Sequence, residues 1–346
     1  MLPEKWVRIA RLPERERIDG LQTIHPRYLV TPKLGMNFYG DWMARGAWET
    51  VKRLHAEQPI ELIDAHYVYP DGYAATILGQ RLDVPVFITA RGTDINLFSR
   101  MPLIRPKIIN ALNRAAGIIA VSQSLKTRMV ELGVPAEKIA VIRNGIDRQM
   151  FSPRDREEAR KRLGLDPEDR ILLTVAALVP VKGIDRLIDA MAVLIQNDED
   201  KRRLKLIVIG EGLERSALES QISNLKLRDC VRLIGAKPQS ELADWYSAAD
   251  LFCLASHREG CPNVVIEALA CGLPVLATDV GGIAELLALE SGRVVSYKGA
   301  RNFTEAVEKA LAAKWNRDVI ANSPAVRSWQ VVAAEVAEWF QTRRFF

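Results

Sequence analysis

Two glutamates eight positions apart, Glu259 and Glu267, stand in the segment HREGCPNVVIEALACGLPVLATDVGGIAE, residues 257–285. The first falls in a Gly/Pro/Asn loop just after the apolar run Leu251–Leu254, and the second lies one to two turns into the helix that this loop opens. A helix start presents unpaired backbone N–H groups and a positive dipole end, a seat for an anion. Acids beside such a seat suit a ligand that is anionic at one end and rich in hydroxyls at the other, as a nucleotide sugar is. Accepting hydrogen bonds from sugar hydroxyls requires an ionised, acceptor-only carboxylate. Gly260, Cys261 and Asn263 offer backbone N–H groups, and Gly260 lets backbone approach a ligand closely. Pro262 has no N–H, and its fixed φ suits a first helical turn.

The setting of these acids resembles the Glu-x7-Glu signature of the retaining glycosyltransferases of family 4, which have the GT-B fold. The resemblance rests on EGCPN at 259–263, VVIEALACGLPVLATDVGG at 264–282 and a third acid, Glu285. It implies that Glu259 holds the transferred sugar near its developing positive charge and that Glu267 accepts from the ribose hydroxyls. TVAALVPVKGIDRLIDA, residues 174–190, resembles the strand, loop and helix that hold the diphosphate. Lys182 and Gly183 are the matching positions there, and lysine is a flexible point charge suited to phosphate. Many relatives carry a Gly-Arg-Leu triplet ahead of this loop, whose arginine also grips the diphosphate. Here Ala176, Ala177 and Leu178 stand instead, which leaves the diphosphate to Lys182, the helix start and another arginine. IGEGLERSALE, 209–219, resembles the turn near the nucleotide, with Glu211 and Gly212 as donor contacts. VRLIGAKP, 231–238, resembles the lining of the base pocket. Backbone contacts leave no trace in side-chain identity, so the base stays open.

In the first half, DAHYVYPDG, TARGTDIN, AVSQS and RNGID also look like family segments. His66 ends an apolar run, the position expected of a catalytic group. Its other reading is a buried, hydrogen-bonded histidine. Arg91 stands where many relatives have the His of Thr-x-His-Gly, so that residue's role does not transfer. A contact to phosphate or to an anionic acceptor is expected of Arg91. Asn144, Gly145 and Asp147 read as residues that shape a hinge turn. No residue is an evident covalent nucleophile. The resemblance therefore implies a front-face transfer with retention, driven by positioning and by electrostatic stabilisation of sugar cation and departing diphosphate. No Asp-x-Asp falls at a strand end, so neither a catalytic metal nor a cofactor is expected.

The elements that must position these residues follow from the apolar rhythm. A length of 346 residues suggests two domains at about 150 residues each. Short apolar runs alternate with amphipathic stretches, which predicts parallel α/β sheets. Strands are predicted at 62–66, 84–90, 117–121 and 139–143, then at 171–176, 205–209, 231–234, 251–254, 274–277 and 293–295. Helices are predicted at 72–82, 104–115, 122–132, 183–196, 213–225, 240–248, 262–270, 301–313 and 329–342. The expected architecture is GT-B: two doubly wound, Rossmann-like domains facing a cleft, with ligands at the carboxyl ends of the strands. The divisions are a truncated acceptor-side domain at 1–150, a nucleotide-sugar-binding domain at 151–328, and a C-terminal helix at 329–346 that packs back on the first domain. The polar segment FSPRDREEARKRLGLDPEDR reads as a linker with one short helix. At the front, a charged stretch stands in place of the family's strand, helix and second strand, and the first strand candidate is 23–30. A gapped or reordered N-terminal sheet is expected.

Composition bounds the partners. The chain carries 48 Lys and Arg against 43 Asp and Glu, a net charge of +5, with no basic stripe interleaved with aromatics, so nucleic acid is not expected. The four cysteines fit no zinc pattern and read as reduced thiols. Cys261 is expected to be accessible without being catalytic. No run approaches the roughly 20 apolar residues of a membrane span, and no signal-peptide core is seen, which points to the cytoplasm. The aromatic segment 36–51, with Phe38, Tyr39, Trp42 and Trp48 among basic residues, reads either as a core-packing helix or as a contact to the inner membrane face. The expected activity is transfer of a sugar from a nucleotide sugar to a glycan or lipid-linked acceptor in envelope or exported polysaccharide synthesis. The alternative is a non-catalytic or vestigial nucleotide-sugar binder. A GT-B epimerase or phosphorylase fits less well, since no lysine sits in a pyridoxal pattern.

Overall fold

A computed structural model of the chain describes residues 9–31, 35–196 and 203–343. They fall into two compact units. The first comprises the described residues up to Ile119, Met129–Ala140 and the chain end from Phe340, and the second comprises Ala120–Arg128 and Val141–Trp339.

The first unit begins with an antiparallel pair, β1 (Arg15–Ile18) and β2 (Leu21–Ile24), in which Ile18 faces Leu21. Asp19 and Gly20 form the turn with φ of 50° and 82°. Two positive φ values in succession are what a tight hairpin with right-handed strand twist requires, and Asp-Gly supplies them at low cost. The strand expected at 23–30 is therefore corrected: it is shorter, starts earlier and belongs to a separate hairpin. The parallel rhythm begins with β3 (Ile63–His66) and continues with β4 (Val86–Ala90), β5 (Gly117–Ala120) and β6 (Ile139–Val141). Their sheet has the order β3-β4-β5-β6, with β3 at an edge. Every residue of β4 and β5 is buried, which is why both read as unbroken apolar runs. The helix Tyr39–Glu57 packs on the helix Tyr73–Leu82 through Ala44, Ala74 and Leu78, with Trp48 partly buried against them. The aromatic segment thus turns Trp48 inward. Phe38 remains 50% exposed and stacks on Trp42 at 5.6 Å between ring centres. Phe340, near the end of the helix Trp329–Arg343, sets its ring 4.4 Å from that of Phe87 on β4.

The second unit holds β7 (Arg170–Val175), β8 (Leu204–Ile209), β9 (Val231–Gly235), β10 (Leu251–Leu254), β11 (Val275–Thr278) and β12 (Gly292–Val295). All five pairings are parallel, in the order β12-β11-β10-β7-β8-β9. Counted from β7, this is the doubly wound order 3-2-1-4-5-6, and its direction reverses between β7 and β10. In doubly wound sheets ligands bind at such a reversal, outside the carboxyl ends of the two strands. Alternate residues of β10 enter different cores. Phe252 and Leu254 pack with Tyr246 and Ile266 on one face, and Leu251 and Cys253 with Val208 and Phe303 on the other. The linker helix Arg156–Leu163 is capped by Asp155, which accepts from the Glu158 N–H, and ends at Gly164 with φ 64°. This helix is anchored from inside. The buried Arg160 donates to Asp250 Oδ2 at 2.9 Å, and the same oxygen accepts the Ile171 N–H at 2.7 Å. One carboxylate thus ties the linker to the starts of β7 and β10.

Candidate functional site

Lys182 closes a short turn, Pro180–Lys182, that follows β7. Gly183 comes next with φ 63°, and a Cβ there would run into the Ala255 carbonyl oxygen. Only glycine meets both conditions. The loop after β10 lies against this turn, with the His257 N–H donating to the Val181 carbonyl at 2.8 Å. These two backbone contacts span the β7/β10 reversal and fix where the Lys182 and Glu259 side chains emerge. The Lys182 ammonium donates to Glu259 Oε1 at 2.7 Å, and the Ser256 hydroxyl donates to the same oxygen at 2.6 Å. Glu259 is 9% exposed, so its charge is held by these donors more than by water.

The neighbouring loops close on this centre through backbone. Gly210, φ 148°, has its Cα against the Ala176 carbonyl, and Gly212 lies against that of Leu178. The Leu178 N–H donates to the Glu211 carbonyl at 2.9 Å. Gly281, φ 62°, abuts the Glu259 carbonyl, and the Gly282 N–H donates to the Gly260 carbonyl at 2.9 Å. The structure therefore brings Lys182, Gly183, Glu259, Gly260 and the Gly210–Gly212 turn into one loop assembly. The Glu211 side chain instead pairs with Arg215 at 2.8 Å, more than half exposed.

Glu267 lies one turn into the helix Asn263–Ala270, which opens directly after Pro262. Its carboxylate is buried and accepts from the Tyr246 hydroxyl at 2.8 Å. Burial pushes its pKa up, while Tyr246 and Gln239 pull it down by hydrogen bonding to the charged form. Asn263 accepts from the Asn144 side chain at 2.7 Å. Asn144 thus braces the loop end and does more than shape a turn. Glu285 accepts the Gln123 and Ser124 N–H groups at 2.8 and 3.1 Å, at the start of the helix Gln123–Glu131. Cys261 is only partly buried, and desolvation raises its thiol to about 11, so the thiol there is a protonated one. Arg186 is the arginine beside the Gly183 turn. It donates to His257 Nδ1 at 2.7 Å and lies 4.1 Å above the centre of the Tyr297 ring.

His66 and Arg91 meet in the first unit, at the carboxyl ends of β3 and β4. Arg91 donates to His66 Nδ1 at 2.6 Å, and His66 Nε2 lies 3.3 Å from Asp64. Arginine cannot accept, so Nδ1 carries the lone pair and Nε2 the proton. The His66 side chain is 52% exposed, which excludes the buried reading. Asp94 passed unremarked within TARGTDIN. It is fully buried and accepts the N–H groups of Val68, Arg91, Gly92 and Ile95. It shapes the turn that presents Arg91. Its signal was an acid inside an otherwise small-residue turn. Tyr246 and Ser256 were missed because nothing local links them to Glu267 or Glu259. Among the described residues, no three His, Cys, Asp or Glu side chains converge into a group that could hold a metal.

A doubly wound sheet with a lysine and an acid paired across its reversal, and a second acid on the following helix, places the candidate site at the carboxyl ends of β7 and β10. Residues 155–324 match the family of Glycosyl transferases group 1, and residues 8–150 match Glycosyltransferase Family 4. The chain belongs to this family of GT-B glycosyltransferases. It is 31% identical over 302 residues to the putative teichuronic acid biosynthesis glycosyltransferase TuaC of Bacillus subtilis, covering 86% of this chain and 73% of TuaC. It spans 45% to 64% of the length of seven further curated relatives. Among solved structures, the sucrose-phosphate synthase of Thermosynechococcus elongatus aligns with a TM-score of 0.79 at 22% identity, over 96% of this chain and 86% of that one. Anabaena Alr3699/HepE in complex with UDP aligns with a TM-score of 0.74 at 23% identity, over 85% and 81%. These two likenesses bear on the fold alone.

Proposed function

We propose that this chain transfers a sugar, with retention at the anomeric carbon and without a catalytic metal or cofactor, from a nucleotide sugar to a glycan or lipid-linked acceptor. The observation that carries the reading is the Lys182–Glu259 pair at the β7/β10 reversal. In the proposed reaction Lys182, with the helix start at Ile184, receives the diphosphate. Glu259 accepts from the sugar and faces its cationic transition state, and Glu267 accepts from the ribose. Gly183, Gly212, Gly260, Cys261 and Asn263 supply the backbone of the cradle, and Glu211 belongs to its rim. His66 and Arg91 serve the acceptor, with the Nε2 proton of His66 held toward Asp64 and the guanidinium suited to an anionic group. Two relatives, an N-acetyl-alpha-D-glucosaminyl L-malate synthase and a D-inositol 3-phosphate glycosyltransferase, are named for anionic compounds, which supports an anionic acceptor. TuaC supports a place in envelope polysaccharide synthesis. The proposed division of labour is an acceptor domain at 1–150 and a donor domain at 151–328, followed by the helix at 329–346.

No described helix is long and apolar enough to cross a membrane. A peripheral contact at the cytoplasmic face is proposed through exposed Phe38, and co-sedimentation with anionic liposomes tests it. A second reading, a binder without turnover, is favoured by Ala177, which leaves the diphosphate one cation short. Thermal-shift binding of UDP, GDP and ADP sugars to the chain and to Glu267→Ala tests the donor site. A rise specific to one base and lost in the variant supports it. Turnover with an acceptor then separates transferase from binder. UDP-glucose is the first probe, because HepE has been crystallised with it.

A further inference from the structure

Tyr246 sits on the helix Gln239–Ala248 and is fully buried. Its ring lies between Phe151 and Phe252, with ring centres at 6.1 and 5.8 Å. In so apolar a place phenylalanine would pack as well, and a hydroxyl without a partner would carry a desolvation penalty. The hydroxyl has one partner, Glu267 Oε2 at 2.8 Å. Val265, Ile266, Ala268 and Leu269, the neighbours of Glu267 on its helix, are all buried and apolar. A carboxylate is thus set among hydrocarbon and met by a phenol from another helix.

On the reading of Glu267 as the ribose acceptor, we propose that Tyr246 is a positioning residue that keeps Glu267 ionised and fixed in the rotamer that receives the ribose hydroxyls. The phenol remains a donor throughout, since burial beside Glu267 pushes its own pKa well above the usual value. A protonated Glu267 offers a donor where the ribose needs an acceptor. Nucleotide binding therefore weakens as pH falls through the Glu267 titration. Removing the phenol removes one stabiliser of the charged form, so that titration moves to higher pH. The other titratable and charged groups nearby are the Cys271 thiol at the end of the same helix, Asp244 on the Tyr246 helix, Arg154 ahead of the linker helix, and Arg317 on the helix Arg317–Ala321. Burial holds the thiol up at about 12, and Asp244 and Arg154 form an ion pair at 3.0 Å. The Cys271 thiol, with its raised pKa, and Asp244, with its lowered one, keep their charge states over mildly acidic to mildly alkaline pH.

The experiment measures binding of UDP-, GDP- and ADP-glucose to the unmodified chain, Tyr246→Phe and Glu267→Gln over that pH range by calorimetry. Melting temperatures are recorded alongside. A sugar nucleotide has no phosphate group that titrates in this window. The expected result is a fall in affinity toward low pH whose midpoint lies about one pH unit higher in Tyr246→Phe, the size expected for one hydrogen bond to a charged group. At alkaline pH the affinity returns to within about twofold of the unmodified chain. Glu267→Gln binds weakly with no such step. An unchanged midpoint in Tyr246→Phe, or an equal loss at every pH with a lowered melting temperature, makes Tyr246 merely structural and overturns the inference. If Glu267→Gln binds normally, or no sugar nucleotide binds the unmodified chain, the donor-site reading beneath it fails instead.

Discussion

Lys182 and Glu259, 77 positions apart in the chain, share a hydrogen bond of 2.7 Å at the carboxyl ends of two adjacent parallel strands. The two groups assigned to opposite ends of the leaving sugar phosphate bond neutralise each other without a ligand. In the proposed reaction a donor separates them, with the diphosphate taking the ammonium and the sugar hydroxyls taking the carboxylate. Lys182 then exchanges a carboxylate for an anionic diphosphate, and Glu259 exchanges the ammonium for neutral hydroxyl donors.

Glu259→Gln separates these two halves. Lys182 loses its ionic partner, so a bare nucleoside diphosphate binds tighter, by about fivefold if the pair contributes about 1 kcal/mol. The sugar's own contribution to binding disappears, and turnover drops by about two to three orders of magnitude. Calorimetry with the diphosphate and with its sugar ester checks the opposite signs. Equal weakening of both ligands contradicts the exchange.

Gly183→Ala places a methyl group where φ is 63° and the Ala255 carbonyl stands. A loss of stability of about 1–3 kcal/mol is expected, read as a lower midpoint in urea. Donor affinity falls as well, because the Lys182 turn must shift away from Ala255. Full retention of both properties shows that the turn yields more easily than this geometry implies.

Asp250→Ala leaves the buried Arg160 guanidinium without its carboxylate. It also removes the acceptor of the Ile171 N–H. Breaking a buried pair on one side costs about 3–5 kcal/mol. The partly exposed Arg156, which also pairs with Asp250, adds little. Chemical denaturation measures the loss, and a change under about 1 kcal/mol rejects this anchor.

Cys261 tests the environment of the loop after β10. With its pKa raised to about 11, about one thiol in a thousand is ionised at pH 8. Alkylation by iodoacetamide is therefore slow in the native protein, and it accelerates about tenfold for each pH unit toward pH 11. Bound nucleotide sugar slows it further. Rapid labelling at neutral pH contradicts the raised pKa.

The parallel strands were legible because burial on both faces turns them into continuous apolar runs, as in LFCL at Leu251–Leu254. The signature loop was legible because Glu259, Gly260, Pro262 and Glu267 announce themselves within nine residues. The hairpin was missed although Asp19-Gly20 signalled it, since its strands RERI and LQTI carry few buried side chains. Long-range pairs had no local signal at all. Nothing within a few residues of Tyr246 or Lys182 states which acid each will meet. Those partners are set by helix and loop packing across 21 and 77 positions.

The glycines at 183, 210 and 281 let the donor loops rest directly on one another's carbonyl oxygens. The frame of the cradle is therefore written in main chain. A side chain projecting from it, such as Leu213 at 97% exposed, lies outside these main-chain contacts. Under the proposed function, that separates two demands: holding a phosphate the same way every time, and changing which sugar is chosen. Under the same proposal, side chains that project from the loops can change while the three glycines keep the main-chain frame in place.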